Sequence, residues 1–258
     1  MNGGYGMQYD ILREFACRDG ATPVRLNAYI SYDPERERSD RNYREAQFGF
    51  HDKLREQGFK VILKYMKWYS DESGRIGKAN ADLDLAVDAL LQSENLDRVL
   101  LATGDGDFVQ VVNALQNRGC RVEIVAFDNV SGDLRSAADM YFSGYLVPGL
   151  LPVADENGKK WGEIGSAVRG QCYYFNQSKK FGFMRFLEKI DSELWKVDTR
   201  LEDSPYKTAY FRAGDFQNSV DLERLPNRDM VFEFLLAKNP VSDSAQSAQL
   251  QAVEIRVL

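Results

Sequence analysis

Two acidic segments hold the residues best able to do chemistry in this 258-residue sequence. In RVLLATGDGDF an apolar run leads into Thr103, Gly104, Asp105, Gly106 and Asp107, and then into an amphipathic stretch. Open α/β sheets bind ligands at the carboxyl ends of their strands, and flanking glycines allow a tight turn. Asp105 and Asp107 are therefore expected at a sheet rim. The plainer reading, that Asp107 only caps the following helix, stays open. The second segment, KANADLDLAVDALL, puts Asp82 in the first turn of a helix and Asp84 and Asp88 on one face of it. A solvated face suffices for Asp84, whereas Asp82 is expected near the rim with Asp105 and Asp107. Crowded carboxylates are tolerated chiefly around a cation. Oxygen ligands without His or Cys favour Mg²⁺ or Mn²⁺, which can activate water and neutralise charge developing on a phosphodiester.

These residues need a scaffold, and the apolar pattern supplies one. From Val24 to Val147, strand-like runs such as VRLNAYISY, FKVILKYM, RVLLATGD and RVEIVAF alternate with helical stretches, the mark of a parallel sheet in a three-layer α/β unit. After a glycine- and charge-rich stretch, GQCYYFN, FGFMRFL, KTAYFRA, DMVFEFLLA and QAVEIRVL read as strands of a small all-β barrel. The expected division is 1–150 for the first domain, 151–165 for a linker and 166–258 for the barrel.

Composition narrows the chemistry. With 44% hydrophobic residues the chain can bury ordinary cores, and no apolar run approaches the roughly 20 residues of a membrane span. The start, MNGGYGMQYD, lacks the features of a signal peptide, so a cytoplasmic protein without a membrane partner is expected. One histidine, His51, and three scattered cysteines make zinc sites and catalytic triads poor candidates. The net charge of −6 divides unevenly about Asn157: 18 basic and 25 acidic residues up to it give −7, and 15 basic and 14 acidic after it give +1.

KANADLDLAVDALL followed by VLLATGDGDFVQVVNALQNRGCRVEIVAF resembles the NYN domain of the LabA-like group, relatives of PIN-domain ribonucleases. The family's lysine, aspartate and second helical aspartate fall on Lys78, Asp82 and Asp88. Its strand-end signature falls on Thr103, Gly104, Asp105, Asp107 and Phe108, and its closing helix on Ser131, Leu134 and Asp139. The resemblance implies a PIN-like fold and a Mg²⁺- or Mn²⁺-dependent ribonuclease using Asp82, Asp105 and Asp107, with Thr103 and Asn2 at the scissile phosphate or a metal-bound water. The family also opens on a central strand ending in an aspartate, and nothing after Met1 matches it. The sequence reading favours a start upstream of Met1, and makes catalysis conditional on that aspartate.

In GQCYYFNQSKKFGFMRF, Phe181 and Phe183 share one face of a strand, and Tyr174 can reach that face from the preceding run. Exposed aromatics beside lysines stack bases and meet phosphates, whereas buried core aromatics are the plainer reading. The whole resembles a cold-shock domain, an OB-type barrel, with its first motif on Gly170, Tyr174, Phe175, Asn176, Lys179, Phe181, Gly182 and Phe183 and its second on Ala209 to Arg212. Tyr174, Lys180, Tyr210 and Arg212 depart from the family's tryptophan, glycine, phenylalanine and histidine. The resemblance implies single-stranded RNA held by Tyr174, Phe181, Phe183 and Tyr210 through stacking and by Lys179, Lys180 and Arg212 through the backbone.

Two functions follow. One is a metal-dependent ribonuclease whose barrel captures single-stranded RNA. The other is a non-catalytic RNA-binding regulator with an incomplete metal site. The oligomeric state is left open, a homodimer included. A third reading, a protein-interaction scaffold, predicts no RNA binding. His51 is expected at the surface or a boundary, Trp68 and Tyr69 in packing or a groove, and Trp161 and Trp195 carry no assigned role.

Overall fold

The computed structural model describes residues 6–71, 74–153, 158–239 and 250–258. Side chains of 70, 71, 74–76 and 78 also fall outside that description, as does the whole of Asn2. The chain divides into two compact units, one of residues 22–142 and one of residues 6–21 with 143–258. The first helix, α1 (Tyr9–Ala16), thus belongs with the carboxyl-terminal unit, where it buries Leu12 and Phe15 and where the Gln8 amide donates to the Leu150 carbonyl at 2.8 Å.

The first unit runs β1 (Asn27–Tyr32), α2 (Pro34–Ser39), α3 (Arg41–Glu56), β2 (Lys60–Tyr65), β3 (Lys67–Asp71), β4 (Gly74–Lys78), α4 (Ala81–Gln92), β5 (Arg98–Leu101), α5 (Val109–Asn117), β6 (Arg121–Ala126), α6 (Gly132–Ala137) and β7 (Met140–Ser143). Local chemistry sets the helix starts. The Asp33 carboxylate accepts from the Glu35 and Arg36 amides with Pro34 at the first helical position, and Asp40 caps α3 by accepting from the Tyr43 amide. β1 and β2 pair in parallel, as do β5 and β6, with β7 completing the latter sheet, while β3 and β4 form an antiparallel hairpin. The core gathers Leu101, Phe108, Val111, Val112, Leu115, Val122, Ile124 and Leu134, each fully buried aliphatic contributing roughly 1.5–3 kcal/mol.

The periodicity predicts one parallel sheet, and here the structure differs. β1–β2 and β5–β6–β7 are separate sheets, and among the described residues no strand pairs with the second edge of either β1 or β5. Helix α4 spans the two. Its Asp88 accepts from the Tyr29 hydroxyl of β1 at 2.8 Å and its Asp84 pairs with Lys64 of β2 at 2.7 Å. Another face, with Leu85, Ala86, Ala89 and Leu90, packs on the core under β5 and β6. Leu83, Val87 and Leu91, recurring every fourth residue, remain 60%, 45% and 71% exposed.

The second unit is a closed five-stranded barrel of β8 (Ala167–Asn176), β9 (Phe181–Leu187), β10 (Tyr206–Arg212), β11 (Asn227–Lys238) and β12 (Leu250–Val257), in the order β10–β12–β11–β8–β9, as in an OB-type barrel. Phe175, Phe186, Phe211, Phe232 and Phe234 fill its interior with Val168, Met184 and Ile255. Inward positions alternate with outward ones along β9, so Gly182, Met184 and Phe186 are buried while Phe181, Phe183 and Arg185 stay half-exposed.

Candidate functional site

The acidic rim forms where β5 ends. Leu101 is the strand's last residue, and the chain turns through Thr103 and Gly104 into a short 3-10 turn, Gly106–Phe108, that opens α5. The cap is Asp105: its Oδ1 accepts from the Asp107 amide at 2.9 Å, while its own amide donates to Thr103 Oγ1 at 3.2 Å. Asp107 therefore occupies the first turn, and both carboxylates are exposed. Close approach, rather than an unusual dihedral angle, favours glycine at position 106 and less strongly at 104. A Cβ on Gly106 would lie 2.8 Å from Ser131 Oγ, and one on Gly104 would lie 3.4 Å from the Val130 backbone. The Ser131 amide donates to the Gly104 carbonyl at 3.0 Å, bolting the acidic loop to the start of α6.

The closing-helix residues then have structural tasks. Ser131 caps α6 through the Leu134 amide, Leu134 is wholly buried, and Asp139 Oδ2 accepts from the Val122 amide at 2.7 Å. Asp82 stands exposed in the first turn of α4. Asp84, expected on a solvated face, is instead half-buried against Lys64. Asp88 holds Tyr29, whose hydroxyl is pushed well above its ordinary pKa by burial and by the Asp88 hydrogen bond. Asp105 and Asp107 thus share one loop and Asp82 starts another helix. Among the described residues no group of three or more His, Cys, Asp or Glu side chains is placed to hold a metal ion. The donor chemistry suits Mg²⁺ or Mn²⁺, but these carboxylates do not by themselves make a metal centre.

The barrel presents a more complete arrangement. Strand register places Tyr174 and Tyr210 on either side of Phe183, and Asn176 and Arg212 on either side of Phe181. The ring centroid of Phe183 lies 5.8 Å from Tyr174, 6.0 Å from Phe181 and 5.9 Å from Tyr210. Tyr174 is 43% exposed, so this outer face is not a second core. Arg212 Nε donates to the Tyr210 hydroxyl at 3.1 Å, which keeps a guanidinium beside the rings. Lys179 and Lys180, both exposed, sit in the turn between β8 and β9. Asn176 Oδ1 organises that turn by accepting from the Lys179 amide at 2.9 Å. Lys180 has a φ of 52°, the left-handed region that favours glycine.

The sequence reading missed Tyr173. A bulge between Cys172 and Tyr174 breaks the alternation of β8, so both tyrosines of the Tyr-Tyr pair are exposed. The Tyr173 ring stacks beside Phe183 at 6.3 Å and 26°. The doublet itself was the available signal, since one of two adjacent strand residues ordinarily points inward. His51 was also misplaced: it is 1% exposed, packed against Tyr32 and Phe50, and burial lowers its pKa.

Comparison with known proteins bears on the first unit. The NYN domain profile matches residues 2–146, more than half of the chain. This protein belongs to the NYN domain family. NYN domains are a PIN-like nuclease family, a class that typically uses divalent metals. The chain is 32% identical over 99 residues to the low amplitude and bright protein LabA of Synechococcus elongatus, a match covering 37% of this chain and 53% of LabA. It thus spans about half the length of that curated relative. Among solved structures, a Vibrio parahaemolyticus protein of unknown function matches at 28% identity over 53% of this chain and 78% of its own, with a TM-score of 0.39. The NYN match ends before the barrel begins. No helix among the described residues is long and apolar enough to cross a membrane.

Proposed function

We propose that this NYN protein acts on RNA, with the barrel, as a cold-shock-like domain, capturing single strands and the NYN unit hydrolysing phosphodiester bonds with Mg²⁺ or Mn²⁺. The observation that carries the reading is the open aromatic face of Tyr174, Phe181, Phe183 and Tyr210, bordered by Lys179, Lys180 and Arg212, in one chain with a nuclease-type domain. Bases stack on such rings with little regard to sequence, and the cations meet the backbone. Asp82, Asp105 and Asp107 are the proposed ligands, and a bound cation would supply charge neutralisation at the scissile phosphate. The Thr103 hydroxyl accepts from the Asp105 amide at 3.2 Å, while the role proposed for Asn2 concerns a residue outside those described.

A second reading, a non-catalytic RNA-binding regulator, is favoured by one observation: the described residues hold no three-membered carboxylate cluster. Asp105→Asn separates the two, because asparagine caps a helix as well as aspartate does while removing the charge. On the nuclease reading, purified protein with Mn²⁺ cuts labelled single-stranded RNA, and Asp105→Asn keeps binding but loses cutting. Binding without cutting under any divalent metal selects the regulator, and an absence of RNA binding rejects both.

A further inference from the structure

The aromatic face continues past the four rings just described. Beyond Phe183 along β9 comes Arg185, paired across the ladder with Thr208 on β10 and Gln171 on β8. The bulge sets Tyr173 at this end, 38% exposed, its ring plane within 26° of Phe183 and the Arg185 guanidinium carbon 5.8 Å from its centroid. The ring is held in place. Its hydroxyl bonds the Thr208 hydroxyl at 3.1 Å, which in turn bonds the Thr199 hydroxyl at 2.6 Å. Arg185 also donates to the Val197 carbonyl at 3.3 Å, so the loop between β9 and β10 borders this end of the face.

That loop is rich in carboxylates, yet cations already engage several of them. Arg200 holds Asp198 in a two-pronged pair, Lys196 joins Glu193 and Asp203, and Lys189 joins Asp191. Arg200 itself is highly exposed. A fixed, half-exposed ring in line with a stacking surface, with the Arg185 guanidinium beside it, is suited to one more base. Because the ring is already ordered, little rotamer freedom remains to be lost when a base docks on it.

We propose that Tyr173 is a stacking platform for an additional nucleotide of a single-stranded RNA, so that the barrel reads a longer strand than its four-ring face alone. The proposal rests on the RNA-binding reading above and extends its site. The test is a series of 5′-labelled oligouridylates, each one nucleotide longer than the last, titrated by fluorescence anisotropy against the full chain, Tyr173→Ala, Tyr173→Phe and Phe183→Ala. Wild-type affinity rises at the length that reaches Tyr173. Tyr173→Ala loses about tenfold from that length onward and nothing below it, while Tyr173→Phe, which keeps the ring but lacks the bond to Thr208, retains most of the affinity.

Equal weakening at every length would mean that Tyr173 merely positions Phe183, and overturns the platform. Unchanged binding by Tyr173→Ala alongside weakened Phe183→Ala also overturns it, while leaving the four-ring reading intact. If the wild-type chain binds none of the oligouridylates, both fall together.

Discussion

The glycine inside the Phe-Gly-Phe run is the sharpest test of how the aromatic face is built. Gly182 points into the barrel between two outward phenylalanines, and a Cβ there would stand 2.4 Å from the Tyr174 carbonyl oxygen and 2.7 Å from two ring carbons of Phe211. Neither neighbour yields easily. The carbonyl belongs to the strand paired with β9, and the Phe211 ring is wholly buried, stacked on Phe175 at 5.8 Å and edge-on to Phe216 at 5.4 Å. Overpacking of this kind costs roughly 1–3 kcal/mol, and the backbone contact places Gly182→Ala at the upper end, about 3 kcal/mol. For a unit of this size that is a fall in melting temperature of roughly 10 °C. Because Tyr174 and Phe183 face each other across the strained ladder, RNA affinity should fall as well, measured at a temperature where the variant is fully folded. Thermal unfolding by circular dichroism provides the first readout and anisotropy the second. A variant that melts with wild type would show that β8 and β9 do not approach as closely as described, and the account of the face would lose its foundation.

Other consequences follow from the same structure. Glu233 is buried between Arg169, at 2.8 Å, and Arg256, so Glu233→Ala strands a buried guanidinium and should cost about 3–5 kcal/mol in chemical denaturation, whereas Arg256→Ala, at a half-exposed partner, should cost about 1 kcal/mol or less. His51 has its pKa lowered in the folded state by burial first and by Arg55 second, so the unfolded chain binds the proton more readily. Stability is therefore full above the unfolded value of about 6.5 and declines as pH falls through it toward the folded value, by at most about 1.4 kcal/mol per unit. Urea midpoints that stay level from about pH 7.5 to about pH 5.5, or a slope that survives His51→Phe, would contradict this burial. Lys64→Met should leave Asp84 half-buried without its cation and destabilise the NYN unit by about 1 kcal/mol, whereas Lys64→Arg should retain most of the stability, both read from urea denaturation.

Much of this architecture was legible because the signals were local. The run ending in Thr-Gly-Asp-Gly-Asp-Phe announced β5, its rim and α5, and the alternating aromatics announced β8 to β10. What escaped depended on context. The hairpin β3–β4 has no apolar run, its pairing being set by register rather than pattern. Helix α2, PERERS, buries nothing and is marked only by its Asp33 cap and Pro34. The place of α1 in the carboxyl-terminal unit is a long-range contact that chain order conceals. Tyr173 was hidden by a bulge, and His51 by a helix in which it is followed directly by charged Asp52 and Lys53. For the acidic site, sequence supplied the aspartates and their elements but not their distances. That β1–β2 and β5–β6–β7 form separate sheets among the described residues is invisible in any one strand alone.

The central claim is that single-stranded RNA is held on the outer face of the barrel. It is tested most directly by titrating a labelled single-stranded RNA against the wild-type chain and the Phe181→Ala, Phe183→Ala double variant in EDTA at fixed moderate salt, with folding of both checked by circular dichroism. Wild type should bind, and the folded double variant should lose at least about tenfold, since each stacked base is worth roughly 1–3 kcal/mol. Equal affinity of the two folded proteins, or no binding by wild type, would contradict the claim.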